Sequence, residues 1–244
     1  MLYLLVPLIA FLYASVGFGG ATGYLAVMSL LHVSPPVMAS AALLLNVLVA
    51  GISFFAFRRY GHLRFDLLWP FLSTSVPAAF LGGYFKIAEE TYSIILYLVL
   101  TFVAAHLIFF SKPQDDDKPL RRLPLTLGLV LGLCIGLLSG VVGIGGGIFL
   151  SPVIIYLRWG NSKQASAVSS AFIVLNSISG LIGRFAGGTF QADAFALSLL
   201  PFGLLGALAG SVWGARKSSN LALRRALGLV MALASLNFWQ AWFR

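Results

Sequence analysis

The sequence predicts an all-α polytopic membrane protein built from two inverted repeats. Each repeat is a glycine-tipped re-entrant (broken) helix hairpin followed by three transmembrane helices. Three observations lead there. Hydrophobic residues make up 59% of the 244 residues and charged residues only 9%, with a mean hydropathy of +0.96, far from soluble composition. A glycine cluster, Gly17-Phe18-Gly19-Gly20, is repeated as Gly143-Ile144-Gly145-Gly146-Gly147, 126 positions along the chain. The basic residues also separate to one side of the membrane only if the chain turns back at those two clusters.

Apolar segments run over 1–31, 37–57, 67–85, 92–110, 124–157, 164–183, 194–214 and 226–243, and none of them contains Asp, Glu, Lys or Arg. Segments 1–31 and 124–157 exceed the ~20 residues of one span. Were each a single crossing, Lys and Arg would divide almost evenly between the two sides. If each instead leaves on the side it entered, one side holds Arg58, Arg59, Arg64, Lys112, Lys118, Arg121, Arg122, Arg158, Lys163, Arg216, Lys217, Arg224 and Arg225, against Lys86, Arg184 and Arg244. The positive-inside rule then makes the first side cytoplasmic and both termini extracytoplasmic. Legs of about 15 residues span only ~23 Å of helix, which favours re-entrant hairpins over full crossings. Although apolar, residues 1–16 lack the basic start of a signal peptide and match an internal segment, so they read as mature structure.

Taken in order, the first repeat covers 1–110. After its hairpin, Ser34-Pro35-Pro36 opens a helix that carries Ser40, Asn46 and Gly51. Asp66 opens the next helix, in which Pro70 and Pro77 are expected to kink the backbone. The last helix carries His106, which is expected to be a packing histidine. A charged cytoplasmic linker follows over 111–123, with Asp115-Asp116-Asp117 and Arg121-Arg122. The second repeat covers 124–244. Asn161-Ser162 caps its second helix, which places Ser166, Ser169, Ser170, Ile173, Ser177 and Gly180 along one face with Asn176 beside it. Asp193 opens the third helix, which Pro201 is expected to kink. The ordered matches at one offset, Ala39-Ser40-Ala41 with Ala165-Ser166-Ala167 among them, indicate internal duplication.

Glycine clusters release backbone from regular helix, and hydrocarbon tolerates that only where the backbone is buried in protein or lines a cavity. Matched breaks in two halves point to a transporter's substrate site near the midplane. Free N–H groups at the start of a following half-helix suit an anion. The candidate binding residues are therefore Gly17, Gly19, Gly20, Gly143, Gly145, Gly146 and Gly147, with Ser40, Asn46, Ser166, Ser169, Ser170 and Asn176 as a second layer. Close helix packing through Gly-x-x-x-Gly spacing is the competing explanation for the glycines. For the two asparagines, interhelical hydrogen bonding competes equally with substrate contact. The sequence contains no H-E-x-x-H, G-x-S-x-G or P-loop motif, and His32, His62 and His106 have no metal-ligand spacing, so neither an enzyme nor a cofactor is expected. The single Cys134 cannot form an internal disulfide.

The run Gly136-Leu-Leu-Ser-Gly-Val-Val-Gly-Ile-Gly-Gly-Gly-Ile-Phe-Leu-Ser-Pro152, followed by Lys163-Gln-Ala-Ser-Ala-Val-Ser-Ser170, resembles the TauE/SafE family. Its members are described as sulfite and organosulfonate exporters and are also grouped as a sulfonate uptake permease family. The resemblance extends over essentially the whole chain. It implies a secondary carrier of small sulfur oxyanions or organic acids in the inner (plasma) membrane. Its partners would be a small anionic substrate, membrane lipid and a coupling proton or Na⁺, with a homodimer compatible and nucleic acid excluded. The first-half motif departs from the pattern: Ala21 stands in place of a third glycine and Ala26 in place of Pro152. An anion channel, or a membrane scaffold that uses the glycines only for packing, is the alternative.

Overall fold

A computed structural model of the chain describes residues 2–110, 119–191 and 194–216, together with Ala232, Ser235, Leu236, Trp239 and Gln240. Most of the expected last span (226–243) lies outside the described residues. So do Asp193, the Asp115–Asp117 part of the linker, and Lys112, Lys118, Lys217, Arg224, Arg225 and Arg244. The described residues form only helices. In chain order these are α1 (Leu2–Ser15), α2 (Ala21–Leu30), α3 (Pro35–Arg59), α4 (Phe65–Tyr84), α5 (Glu89–Ala105) running into a π-helical turn (His106–Phe110), α6 (Leu125–Val142), α7 (Gly147–Tyr156), α8 (Ser162–Ala186), α9 (Ala194–Ser198) and α10 (Leu200–Arg216). Among the described residues, four helices are long and apolar enough to cross a membrane: Pro35–Arg59, Glu89–Phe109, Leu125–Val142 and Ser162–Ala186. The protein is all-α and polytopic.

Both long segments break at their glycines. The legs are unequal, however, at 14 and 10 residues for α1 and α2, and 18 and 10 for α6 and α7. At 1.5 Å per residue, the return legs reach only ~15 Å, about half the hydrocarbon core. The outgoing α6 is instead long enough to cross, which corrects the expectation of equal legs of about 15 residues. The return helices α2 and α7 are equal in length and lie 126 positions apart at both ends, Ala21 with Gly147 and Leu30 with Tyr156.

Local chemistry accounts for the helix boundaries. Asn161 caps α8 in a reciprocal capping box: its side chain accepts from Gln164 N at 2.9 Å, and Gln164 Oε1 accepts from Asn161 N at 3.0 Å. Ser34 occupies the N-cap of α3 but makes no side-chain cap bond, and the prolines after it set the entry instead. Asp66 lies in the first turn of α4, paired with Arg64. Pro201 follows immediately on the interruption between α9 and α10.

Glycines set the helix packing. Along α6, a methyl on Gly136 would lie 2.5 Å from Ser75 Cα, and one on Gly140 would lie 2.9 Å from Gly83 N, so only glycine lets α6 approach α4 this closely. Along α10, a methyl on Gly210 would lie 2.8 Å from Phe11 Cα of α1. The outgoing leg of each hairpin thus packs on a helix from the other half of the chain, α1 on α10 and α6 on α4, and α3 meets α8 at the centre. Hydrogen bonds gather the basic loops at one end. Arg64 Nη1 donates to Trp159 O (3.0 Å), Arg121 N to Arg158 O (2.7 Å) and Arg216 Nε to Tyr60 Oη (2.7 Å). Helices α3 and α10 run toward that end, and α4, α6 and α8 run away from it.

Candidate functional site

The two glycine tips meet around one asparagine. Positive φ angles at Gly17 (80°), Gly20 (92°), Gly143 (87°), Gly145 (72°) and Gly146 (77°) turn the chain in the left-handed region that disfavours other residues. These turns deliver the N-termini of α2 and α7 to the middle of α3 and α8. A methyl on Gly19 would collide with the Asn46 side chain; one on Gly145 would lie 2.7 Å from Asn46 Nδ2 and 3.0 Å from Ser177 Oγ. Ile173 lies against Gly19, Gly145 and Gly147. Ala21 N, at the first turn of α2, donates to Asn46 Oδ1 at 3.2 Å.

Several polar groups around this junction are buried without partners. They are Asn46 Nδ2, Ser169 Oγ, Ser177 Oγ, Asn176 Oδ1 and Tyr24 Oη. Buried polar groups are nearly always hydrogen-bonded, so a cluster of exceptions calls for an explanation. At the starts of α2 and α7, Ala21 N is taken by Asn46, and Phe149 N and Leu150 N by Gly146 O; both helix starts carry the positive end of the helix dipole. The unpartnered groups include N–H groups, hydroxyls, the Asn46 carboxamide nitrogen and one acceptor, Asn176 Oδ1, with no ionised side chain. Next to the first tip, Tyr13, Phe18, Gly19, Gly20, Ala21, Thr22, Ile144, Ile148 and Ile173 enclose a cavity of about 10 Å³. That is about the room of a single water, so in this conformation the junction is closed around its centre.

The other expected residues divide into two groups. Ser166 Oγ donates to Val16 O at 2.8 Å and lies against Gly17, anchoring the first tip. Gly143 lies on Ala39 and Gly146 against Ile135 and Phe172, as wall rather than lining. Ser170 Oγ is spent on Ala167 O of its own helix, and Asn176 Nδ2 on Phe172 O. Ser40 stands apart from the tips: it donates to Pro36 O and accepts from Gln191 N.

Sequence reasoning missed two features. Tyr92 Oη donates to Val142 O at 3.0 Å, holding the second tip much as Ser166 holds the first, yet nothing in the pattern around Tyr92 announces it. Arg184, expected among the exposed connections, lies inside the last turns of α8 at 6% exposure. Its Nη2 donates to Gly140 O (3.1 Å) and Val141 O (2.7 Å) at the end of α6. It lines a second cavity of about 280 Å³, together with Lys86, Tyr92, Val141, Thr189 and Gln191, at the end of the molecule opposite the basic loops. Arg184 is thus a buried cation that the apolar segments, read from sequence, did not contain. No cluster of His, Cys, Asp and Glu that could hold a metal occurs among the described residues.

A family model described as Sulfite exporter TauE/SafE matches residues 2–238. The chain is also 31% identical over 241 residues to the "Probable membrane transporter protein y4hK" of Sinorhizobium fredii (strain NBRC 101917 / NGR234), covering 93% of this chain and 93% of the relative. No solved structure matches it.

Proposed function

This chain belongs to the sulfite exporter TauE/SafE family of membrane transporters, and on that premise we propose that it is a secondary carrier of small anions, sulfite or organosulfonate-type sulfur oxyanions foremost, in the inner membrane. The observation that carries the proposal is the junction itself, where the two half-helix N-termini meet beside Asn46 Nδ2 and Ser177 Oγ, both buried and without partners, with Ser169 on the adjoining turn of α8. An oxyanion is rich in acceptors and poor in donors, so it complements these donors without needing a buried cation. A cation, which brings no acceptor, would leave the N–H groups unsatisfied.

The route in and out follows from the exchanged packing. In this reading the halves are inverted repeats with the charged linker on the cytoplasmic side. Rocking them about the α3–α8 contact opens the junction first to one side and then to the other. The small cavity at the tips corresponds to the closed intermediate of that cycle.

The scaffold alternative rests on packing glycines, and α6 and α10 do contain them. The tip glycines are a different set: Gly17, Gly20, Gly143, Gly145 and Gly146 turn the chain at positive φ as well as making close contacts, so packing alone does not account for them. Counterflow separates the readings. Purified protein in vesicles loaded with unlabelled sulfite should transiently accumulate labelled sulfite. Thiosulfate and sulfoacetate should compete better than acetate. Flux that merely equilibrates the label would identify a channel, and no flux from folded protein would favour the scaffold.

A further inference from the structure

We propose that the cavity walled by Arg184 and Lys86 is a second anion site, an antechamber that collects a small oxyanion at the end of the molecule opposite the basic loops. Arg184 is buried, and among the described residues its guanidinium has no carboxylate partner. A buried, unpaired cation is costly, and the two carbonyls at the end of α6 engage only Nη2 and leave Nε without an acceptor. Capping α6 thus explains part of the side chain but not the rest. Lys86, exposed at the same cavity, is the other described Lys or Arg that the topology assigns to this end, and no acidic residue is among the described residues lining the space. Two cations focused on one concave space attract and hold an anion. At about 280 Å³ the cavity also has room for a polyatomic ion with bound water, which the closed junction lacks.

The cavity also leads inward. Tyr92 lines it and holds Val142 O at the second tip, and Pro35 and Pro36 on its wall lie one turn from Ala39, against which Gly143 packs. An anion held here stands above the hairpin that the carrier reading places at the substrate. That it then moves inward rests on that reading; the binding itself does not. A phospholipid headgroup phosphate has the same chemistry, and the test distinguishes it from a free ion.

The test uses the full chain in detergent, with sulfite binding read from thermal stabilisation at low and high salt. Lys86→Gln, at an exposed position, should leave the unliganded melting temperature unchanged. It should weaken sulfite binding about three- to tenfold and flatten the salt dependence. Arg184→Lys keeps the charge but not the planar fork, and should also weaken binding. Sulfite binding equal to wild type in both variants would overturn the proposal and leave Arg184 as a cap of α6. Stabilisation by short-chain phosphatidylglycerol but not by sulfite would also overturn it, in favour of a lipid headgroup. Counterflow separates the two claims. Binding that is sensitive to Lys86→Gln in a protein with no counterflow removes the carrier and keeps this site. Normal counterflow in both variants, with sulfite stabilisation equal to wild type, does the reverse.

Discussion

Asn46 Oδ1 holds Ala21 N at the start of one half-helix, while Asn46 Nδ2 faces Gly145 at the other tip and has no acceptor of its own. One side chain thus serves both hairpins, and Asn46→Ala should lower stability by about 1–3 kcal/mol, seen as a lower melting temperature in detergent. The glycines are poor probes of function. Gly145→Ala adds backbone strain at a φ of 72° and a clash at 2.7 Å, so it should reduce stability and transport together on either the carrier or the packing reading. The serines discriminate better. Ser177 Oγ is buried with nothing to bond, so Ser177→Ala removes an unsatisfied group and should leave stability unchanged or slightly raised. If that hydroxyl meets the anion, the same change should raise the half-saturation concentration about tenfold, a loss of ~1.4 kcal/mol of binding. The serine face of α8 was legible from its spacing: the Ser166 and Ser177 hydroxyls lie at the tips, and Ser169 meets Gly147 through its carbonyl. Ser40 and Ser170 were misleading because a hydroxyl in a helix can turn to a carbonyl of its own chain.

At the scale of elements, close contact between helices depends on the glycine rows of α6 and α10. With hydrocarbon on all sides there is little hydrophobic gain from helix association, so van der Waals fit decides it. Gly136→Ala would drive a methyl into Ser75 and should cost about 1–3 kcal/mol. Gly188→Ala has open space around it, so the thermal melt should record only the strain of its positive φ. The helix breaks themselves could be predicted from the sequence, because two segments too long for one span shared glycine clusters at one offset. Their unequal legs could not, because leg length is set by where the tip finds a partner. Val142 finds Tyr92 and Val16 finds Ser166, and both pairings are long-range. Arg184 was obscured for a related reason. An apolar segment that stops at residue 183 reads as the end of a span, while the helix runs on to Ala186 and buries the cation against α6.

For the whole molecule, Arg64, Arg121, Arg158, Lys163 and Arg216 gather at one end, which the positive-inside rule expects to face the cytoplasm. In a chain carrying Cys134→Ala, a cysteine at exposed Ala88 should react with a membrane-impermeant maleimide in intact cells, and one at exposed Arg122 only after permeabilisation. The opposite pattern would invert the protein. The gathering of the described basic loops at one end was readable from charge counts alone; the exchanged packing of α1 on α10 and α6 on α4 was not, because it joins residues about 200 and 60 positions apart in sequence. That packing is what places both tips at one junction, and the central claim is that this junction holds the transported anion. The most direct test is sulfite counterflow in proteoliposomes by wild type and Ser177→Ala, with each protein's melting temperature recorded alongside. The account predicts accumulation by both, with Ser177→Ala needing about tenfold more sulfite at equal or higher stability. Accumulation with an unchanged half-saturation in the variant would contradict the site, and no accumulation by well-folded wild type with any competing anion would contradict the carrier.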